Sequence, residues 1–156
     1  MRAKTSAGLL MFRRTASGLE VLLVHPGGPF FTNKDAGAWT IPKGEAGEGE
    51  DLQERARIEF REELGVTASG DWIALGSVKQ KGGKTVHAWA FEGDLKDDFK
   101  LVSNTFEMEW PPHSARRQSF PEVDRASFFS LEEAKSKMNA AQIAFLDRLS
   151  DALEMF

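Results

Sequence analysis

The chain has 156 residues and no cysteine, which leaves length for one domain with its own core and excludes disulfides, thiolate metal sites and cysteine nucleophiles. A formal net charge of -4, with 41% hydrophobic and 28% charged residues, is the balance of a soluble globular protein and argues against stable nucleic-acid binding. No apolar run reaches the roughly 18 residues that a bilayer span needs. The expectation is a cytoplasmic domain, 1–156, without membrane attachment.

The opening "MRAKTSAGLLMFRRT" lacks a convincing cleavage site and reads as a first strand rather than a signal peptide. Within it "AGLLMFRR" pairs naturally with "LEVLLVHP" across the turn "TASG". "PGGPFFTNKDAGAW" is a Gly- and Pro-rich loop, and "WTIPKG" gives a short strand ending at Pro42. From Glu50 to Leu64 the apolar residues Leu52, Ala56, Phe60 and Leu64 recur every fourth position, which predicts a helix stopped by Gly65. "WIALGSVKQ" and "KTVHAWAFEG" read as strands joined through "KGGK". The stretch "SNTFEMEWPPHSARRQSFPE" reads as irregular, and "VDRASFF" as a further strand. Ser130 and Glu133 predict a capped helix over "LEEAKSKM", and Ile143, Leu146, Leu149 and Leu153 form one face of a terminal helix. Strands early, one internal helix and a helical end predict an α+β fold.

The predicted internal helix carries the chemistry. Glu59 and Glu63 lie four residues apart and share a face, with Glu62 close to the same side. Carboxylates this close repel one another unless cations neutralise them, and an all-oxygen site suits Mg²⁺ or Mn²⁺. The alternative is a solvated face balanced by Arg55, Arg57 and Arg61.

The spacing around these glutamates decides between the two. Gly44, Glu50, Glu59-Phe60, Glu62-Glu63 and Gly65-Val66 resemble the Nudix box: Gly, five residues, Glu, seven residues, Arg-Glu, an apolar residue, any residue, Glu-Glu, any residue, Gly, apolar. Eight of its nine specified positions match at the right spacing. The flanking strands, the lead-in "WTIPKGE" and the closing "PEVDRASFFSLEEA" resemble the family as well. Ile58 stands where the family has arginine. Arg57 is no replacement, because one residue of offset turns it by about 100° around the helix. Arg55, four residues before Glu59, is the better substitute.

The resemblance implies a mixed β-sheet sandwiched between helices, with a catalytic strand-loop-helix at 39–66. It implies hydrolysis of a nucleoside diphosphate linked to another group, by water attacking phosphorus. Glu59, Glu62, Glu63 and the Gly44 carbonyl would hold Mg²⁺ or Mn²⁺, and Glu122 would serve as a further ligand or base. Lys43, Arg116 and Arg117 are candidate phosphate contacts, and Trp39, Trp89, Trp110 and Phe106 could stack on a base. His25, His87 and His113 lack metal-ligand spacing and are assigned no role. The chain has no tyrosine and no proline in "KQKGGK", where some relatives that act on diadenosine polyphosphates or ADP-ribose carry them. Its lead-in and the basic "KQKGGK" tilt the expectation toward dinucleoside polyphosphates or nucleoside triphosphates as the small-molecule partner. With Ile58 in the box, a nucleotide-binding module with little turnover stays open beside the enzyme, and the sequence leaves the oligomeric state open.

Overall fold

The computed structural model describes residues 4–154. A six-stranded mixed sheet is built from β1 (Thr5–Thr15), β2 (Gly18–Pro26), β3 (Lys43–Glu45), β4 (Trp72–Lys79), β5 (Thr85–Glu92) and β8 (Val123–Ser130). Its path runs β4-β5-β1-β2-β8, with β3 also on β1. β1 and β5 are parallel, while the β1/β2, β1/β3, β2/β8 and β4/β5 pairs are antiparallel. Helix α1 (Leu52–Leu64) covers one face; α2 (Leu131–Lys137) and α3 (Ile143–Glu154) cover the other.

The middle of β1 explains why it sits at the centre. "AGLLMF" is a continuous apolar run, the pattern of a strand buried on both faces. Leu9 and Met11 pack toward Ala56, Phe60 and Leu64 of α1, whereas Leu10 and Phe12 pack toward Phe145, Leu146 and Leu149 of α3. The four-residue stripe of α1 thus reaches one core and the predicted face of α3 reaches the other. Each large side chain so buried is worth about 2 kcal/mol in transfer from water.

Three boundaries differ from the sequence reading. α1 starts at Leu52, not Glu50, because Asp51 accepts from the amides of Gln53 (3.0 Å) and Glu54 (3.4 Å) and caps it. The short strand begins after Pro42 instead of ending there. Pro42 has no amide to donate to a ladder, but its carbonyl accepts from Leu9 N–H at 3.1 Å. Finally, the stretch read as irregular holds an antiparallel ribbon, β6 (Thr105–Glu109) with β7 (Arg117–Pro121). Phe106 and Phe120 face each other across it with ring centroids 6.0 Å apart, a cross-strand pair that the charged residues between them conceal in the sequence. Among the described residues, no helix is long and apolar enough to cross a membrane.

Candidate metal and substrate site

β3, the loop after it and α1 bring the box together. The Glu59 carboxyl lies so close over Gly44 that a Cβ there would stand 2.0 Å from its Cδ. Only glycine leaves Glu59 in that position; any larger residue would push the carboxyl aside. Glu122, between β7 and β8, joins them from a distant part of the chain. One carboxylate oxygen each from Glu59, Glu63 and Glu122 lie within 4.8 Å of one another.

The electrostatics of this cluster are unfavourable as it stands. Burial pushes the Glu63 carboxyl up to about 8, and the charges of Glu59 and Glu122 push the same way against the opposing pull of Lys43. Glu59 is raised mainly by burial, with the charges of Glu62 and Glu122 adding to it, and Glu122 is raised by burial and by Glu62. Glu63 Oε2 is buried and has no hydrogen-bond partner among the described residues. Three hard oxygen donors, one of them orphaned and another cradled by a glycine, fit a divalent cation such as Mg²⁺ or Mn²⁺.

Arg55 reaches both the loop and the helix. Its Nε and Nη2 donate to Glu50 Oε2 at 2.9 and 2.6 Å, and its Nη1 donates to Glu59 Oε1 at 3.2 Å. Glu50 in turn accepts from the Gly47 amide at 2.8 Å. The guanidinium therefore links the loop to the helix and fixes one Glu59 oxygen. Arg57 instead pairs with Glu54. Ile58 is partly exposed and belongs to neither core.

The other candidates fall into two groups. Lys43 is beside the cluster: burial and the Lys84 charge lower its pKa, while Glu63, Glu45 and Glu59 oppose them. Glu62 is not among the three oxygens that converge, although its charge acts on Glu59 and Glu122 and its carbonyl accepts from Asn104 N–H at 3.0 Å. Arg116 and Arg117 are exposed at the far end of the ribbon, about 13 Å along β7 from Pro121. Trp39 is only 4% exposed. Its ring packs edge-on against His25 and Phe129, and its Nε1 donates to Asp35 at 2.7 Å. That environment gives it a packing role and leaves no face for a base. His25 is fully buried, with Nδ1 2.7 Å from Asp124 Oδ1 and Nε2 2.6 Å from the Lys34 carbonyl, so it ties the 27–38 loop to β8.

A cavity of about 360 Å³ opens beside the carboxylates, lined by Lys43, Glu63 and Glu122 and by Phe31, Thr40, Gln80 and Asn139 among others. A groove of about 560 Å³ along residues 45–50 is larger but holds none of the three converging carboxylates, whereas Glu63 and Glu122 line the smaller one. Phe31, Thr40 and Asn139 escape the sequence reading, and Gln80 enters it only as one position of the basic "KQKGGK". They come from separate loops and strand ends, and nothing in their local spacing marks them.

A family model described as "NUDIX domain" matches residues 2–149. The fold is that of a C. elegans Ap4A hydrolase in a binary complex, with a TM-score of 0.69 at 23% identity over 99% of this chain and 100% of that one. It is also that of the NUDIX domain of Shewanella oneidensis NrtR complexed with ADP ribose, with a TM-score of 0.68 at 14% identity over 98% and 90%. The MutT protein of Methanosarcina mazei Go1 matches with a TM-score of 0.60 at 22% identity over 99% of each chain. No curated protein matches by sequence. With eight of nine box positions in register on a strand-loop-helix and a family match over nearly the whole length, the chain belongs to the Nudix hydrolase family.

Proposed function

We propose that this chain hydrolyses a pyrophosphate bond in a nucleoside diphosphate linked to another moiety, with dinucleoside polyphosphates or nucleoside triphosphates as the favoured substrates. The observation that carries the reading is the converging trio Glu59, Glu63 and Glu122, with its unpartnered buried oxygen, beside a cavity of nucleotide dimensions. Glu59, Glu63, the Gly44 backbone and, at the margin, Glu62 would hold Mg²⁺ or Mn²⁺, with the Glu122 carboxylate beside them. Such an ion would neutralise the pyrophosphate and make a bound water more acidic.

The chain's own groups do the rest. Lys43 offers its ammonium to a phosphate oxygen from the cavity wall. Arg55 holds Glu59 so that its second oxygen stays turned to the site. Glu122, less buried than Glu63, accepts the proton of the attacking water as the new P–O bond forms and the bridging P–O bond breaks. Positioning and charge compensation supply most of the rate, because phosphoryl transfer asks little covalent chemistry of the protein. Arg116 and Arg117 contact the distal part of a long polyphosphate substrate. The protein works in the cytoplasm as a single domain on small molecules, without nucleic acid or membrane.

The test is a screen of nucleoside triphosphates, dinucleoside polyphosphates and nucleotide sugars with Mg²⁺ or Mn²⁺, with products identified by chromatography. Phosphate-containing products that appear only with metal support the reading. Tight nucleotide binding without turnover under every metal would replace it with a binding module.

A further inference from the structure

Gln142 has 0% exposure, and a fully buried glutamine needs a reason. Its Oε1 accepts from the Ile41 amide at 3.0 Å, and its Nε2 donates to Gln80 Oε1 at 3.0 Å. The first contact removes any choice of orientation. A backbone N–H can only donate, so Gln142 must present oxygen to Ile41 and nitrogen to Gln80. Gln80 must then present its own oxygen to Gln142. Its main chain is fixed as well, with N–H donating to the Lys84 carbonyl at 2.7 Å and its carbonyl accepting from Gly83 at 3.1 Å. The one end of Gln80 without a hydrogen bond among the described residues is Nε2, and Gln80 lines the cavity that holds Lys43, Glu63 and Glu122.

Fixing the polarity of an amide matters only for a ligand that could meet it with either a donor or an acceptor. A phosphate offers acceptors alone, and a freely rotating glutamine would serve it equally well. The edge of a nucleobase offers both, and the cavity has apolar surface for a ring in Val24, Phe31, Ala38 and Val123. We propose that Gln80 is a specificity-determining residue that donates from Nε2 to a carbonyl oxygen of the base, and that Gln142 is the positioning residue that sets this polarity. The proposal rests on the reading of the site as one for nucleotides.

The experiment compares inosine with adenosine 5′-triphosphate and uridine with cytidine 5′-triphosphate, pairs in which an oxo group replaces an amino group at one ring position. Dissociation constants are measured with Ca²⁺ and kcat/KM with Mg²⁺, so binding and turnover are read apart. The wild type is expected to favour the oxo member by about tenfold, the ratio that corresponds to ~1.4 kcal/mol. Gln80→Glu keeps the bond from Gln142 Nε2 but turns a carboxylate oxygen to the cavity, so the preference inverts toward the amino member. Gln80→Met and Gln142→Met erase the preference, the second without touching the ligand. Ratios within a pair cancel any effect of the new charge on the metal. An unchanged ratio in Gln80→Glu, or no preference in the wild type with turnover present, overturns the role of Gln80 and leaves the hydrolase reading standing. Preferential binding without turnover does the reverse. Failure to bind any of the four overturns the role of Gln80, while the screen that includes dinucleoside polyphosphates and nucleotide sugars decides the hydrolase reading separately. Should Gln80→Glu fail to fold, the ratio in Gln80→Met decides.

Discussion

Replacing Glu63 by glutamine should make the metal-free protein more stable while abolishing its activity. The carboxyl is pushed up to about 8 in the fold against 4.5 for an unperturbed glutamate. In the pH range between those values the folded state holds a proton that the unfolded chain has released. The sign follows directly: the stability is fully present below about 4.5, erodes as pH rises, and is lost once pH passes about 8. At about 1.4 kcal/mol per pH unit the ceiling on this loss is about 5 kcal/mol, a large share of the roughly 5–15 kcal/mol typical of a domain. The amide that Glu63→Gln introduces carries no charge at any pH and so escapes the loss. Urea unfolding followed by tryptophan fluorescence in EDTA measures it. The two proteins should nearly coincide at about pH 5 and diverge by several kcal/mol at about pH 9, with equal m-values. Saturating Mg²⁺ at the higher pH should restore the wild type and leave Glu63→Gln unchanged, because ligand binding stabilises only the form that binds it. Parallel pH profiles for the two proteins in EDTA would refute the account of Glu63 as a buried, uncompensated acid.

Further outcomes follow from the same geometry. Arg55→Ala should lower kcat/KM by roughly ten- to a hundredfold, about 1.4–2.7 kcal/mol of transition-state stabilisation; in that background Ile58→Arg should recover part of it, whereas Ile58→Arg alone changes little because Arg55 already holds Glu59. No recovery in the double variant would show that position 58 cannot reach the site. Gly44→Ala should displace Glu59 and cut kcat by at least about a hundredfold with a small change in melting temperature; wild-type Mg²⁺ affinity in titration calorimetry would contradict that. Phe60→Ala, which empties the centre of the α1 core, should destabilise the fold by about 3–5 kcal/mol in urea titrations, and a loss under about 1 kcal/mol would mean that the site around it collapses freely. Glu122→Gln should lower kcat more than it raises KM, and the opposite split would assign Glu122 to substrate binding.

The readable parts of this protein are those whose signal is periodic and local. Ala56, Phe60 and Leu64 announce the buried side of α1 because helical rotation returns every fourth residue to the same face, and the box glutamates ride on that same rotation. Arg55 is legible for the same reason, four residues before Glu59; its grip on Glu50 is not, because Glu50 lies in a loop whose path no period describes. The ribbon of β6 and β7 hides because Glu107, Glu109, Arg117 and Gln118 leave only a thin apolar alternation. Trp39 is a stacking surface by residue type, and only the packing of His25 and Phe129 around it shows a core residue. Gln80 and Gln142 are joined by one hydrogen bond across two distant segments, and no sequence window contains both.

The parallel pairing of β1 with β5 has a consequence for how the molecule comes into being. A parallel partner cannot be reached by a tight turn, so β1 must wait for α1, β4 and the turn at Lys81–Gly83 to be made before its central ladder closes. β2 waits longer still, since its partner β8 comes only after β7 in the chain. Loop closure on that scale slows the search for the native state relative to a fold of local contacts. During synthesis from the N-terminus, the hairpin of β1 and β2 would therefore emerge with its apolar faces uncovered and both edges unpaired, the condition in which a nascent chain is most exposed to aggregation. Glu122 stands at the threshold of β8, so the third carboxylate arrives with the strand that seals the open edge of β2. The chain thus completes its carboxylate trio only when β8 pairs with β2, and α2 and α3 must still follow to cover the second apolar face.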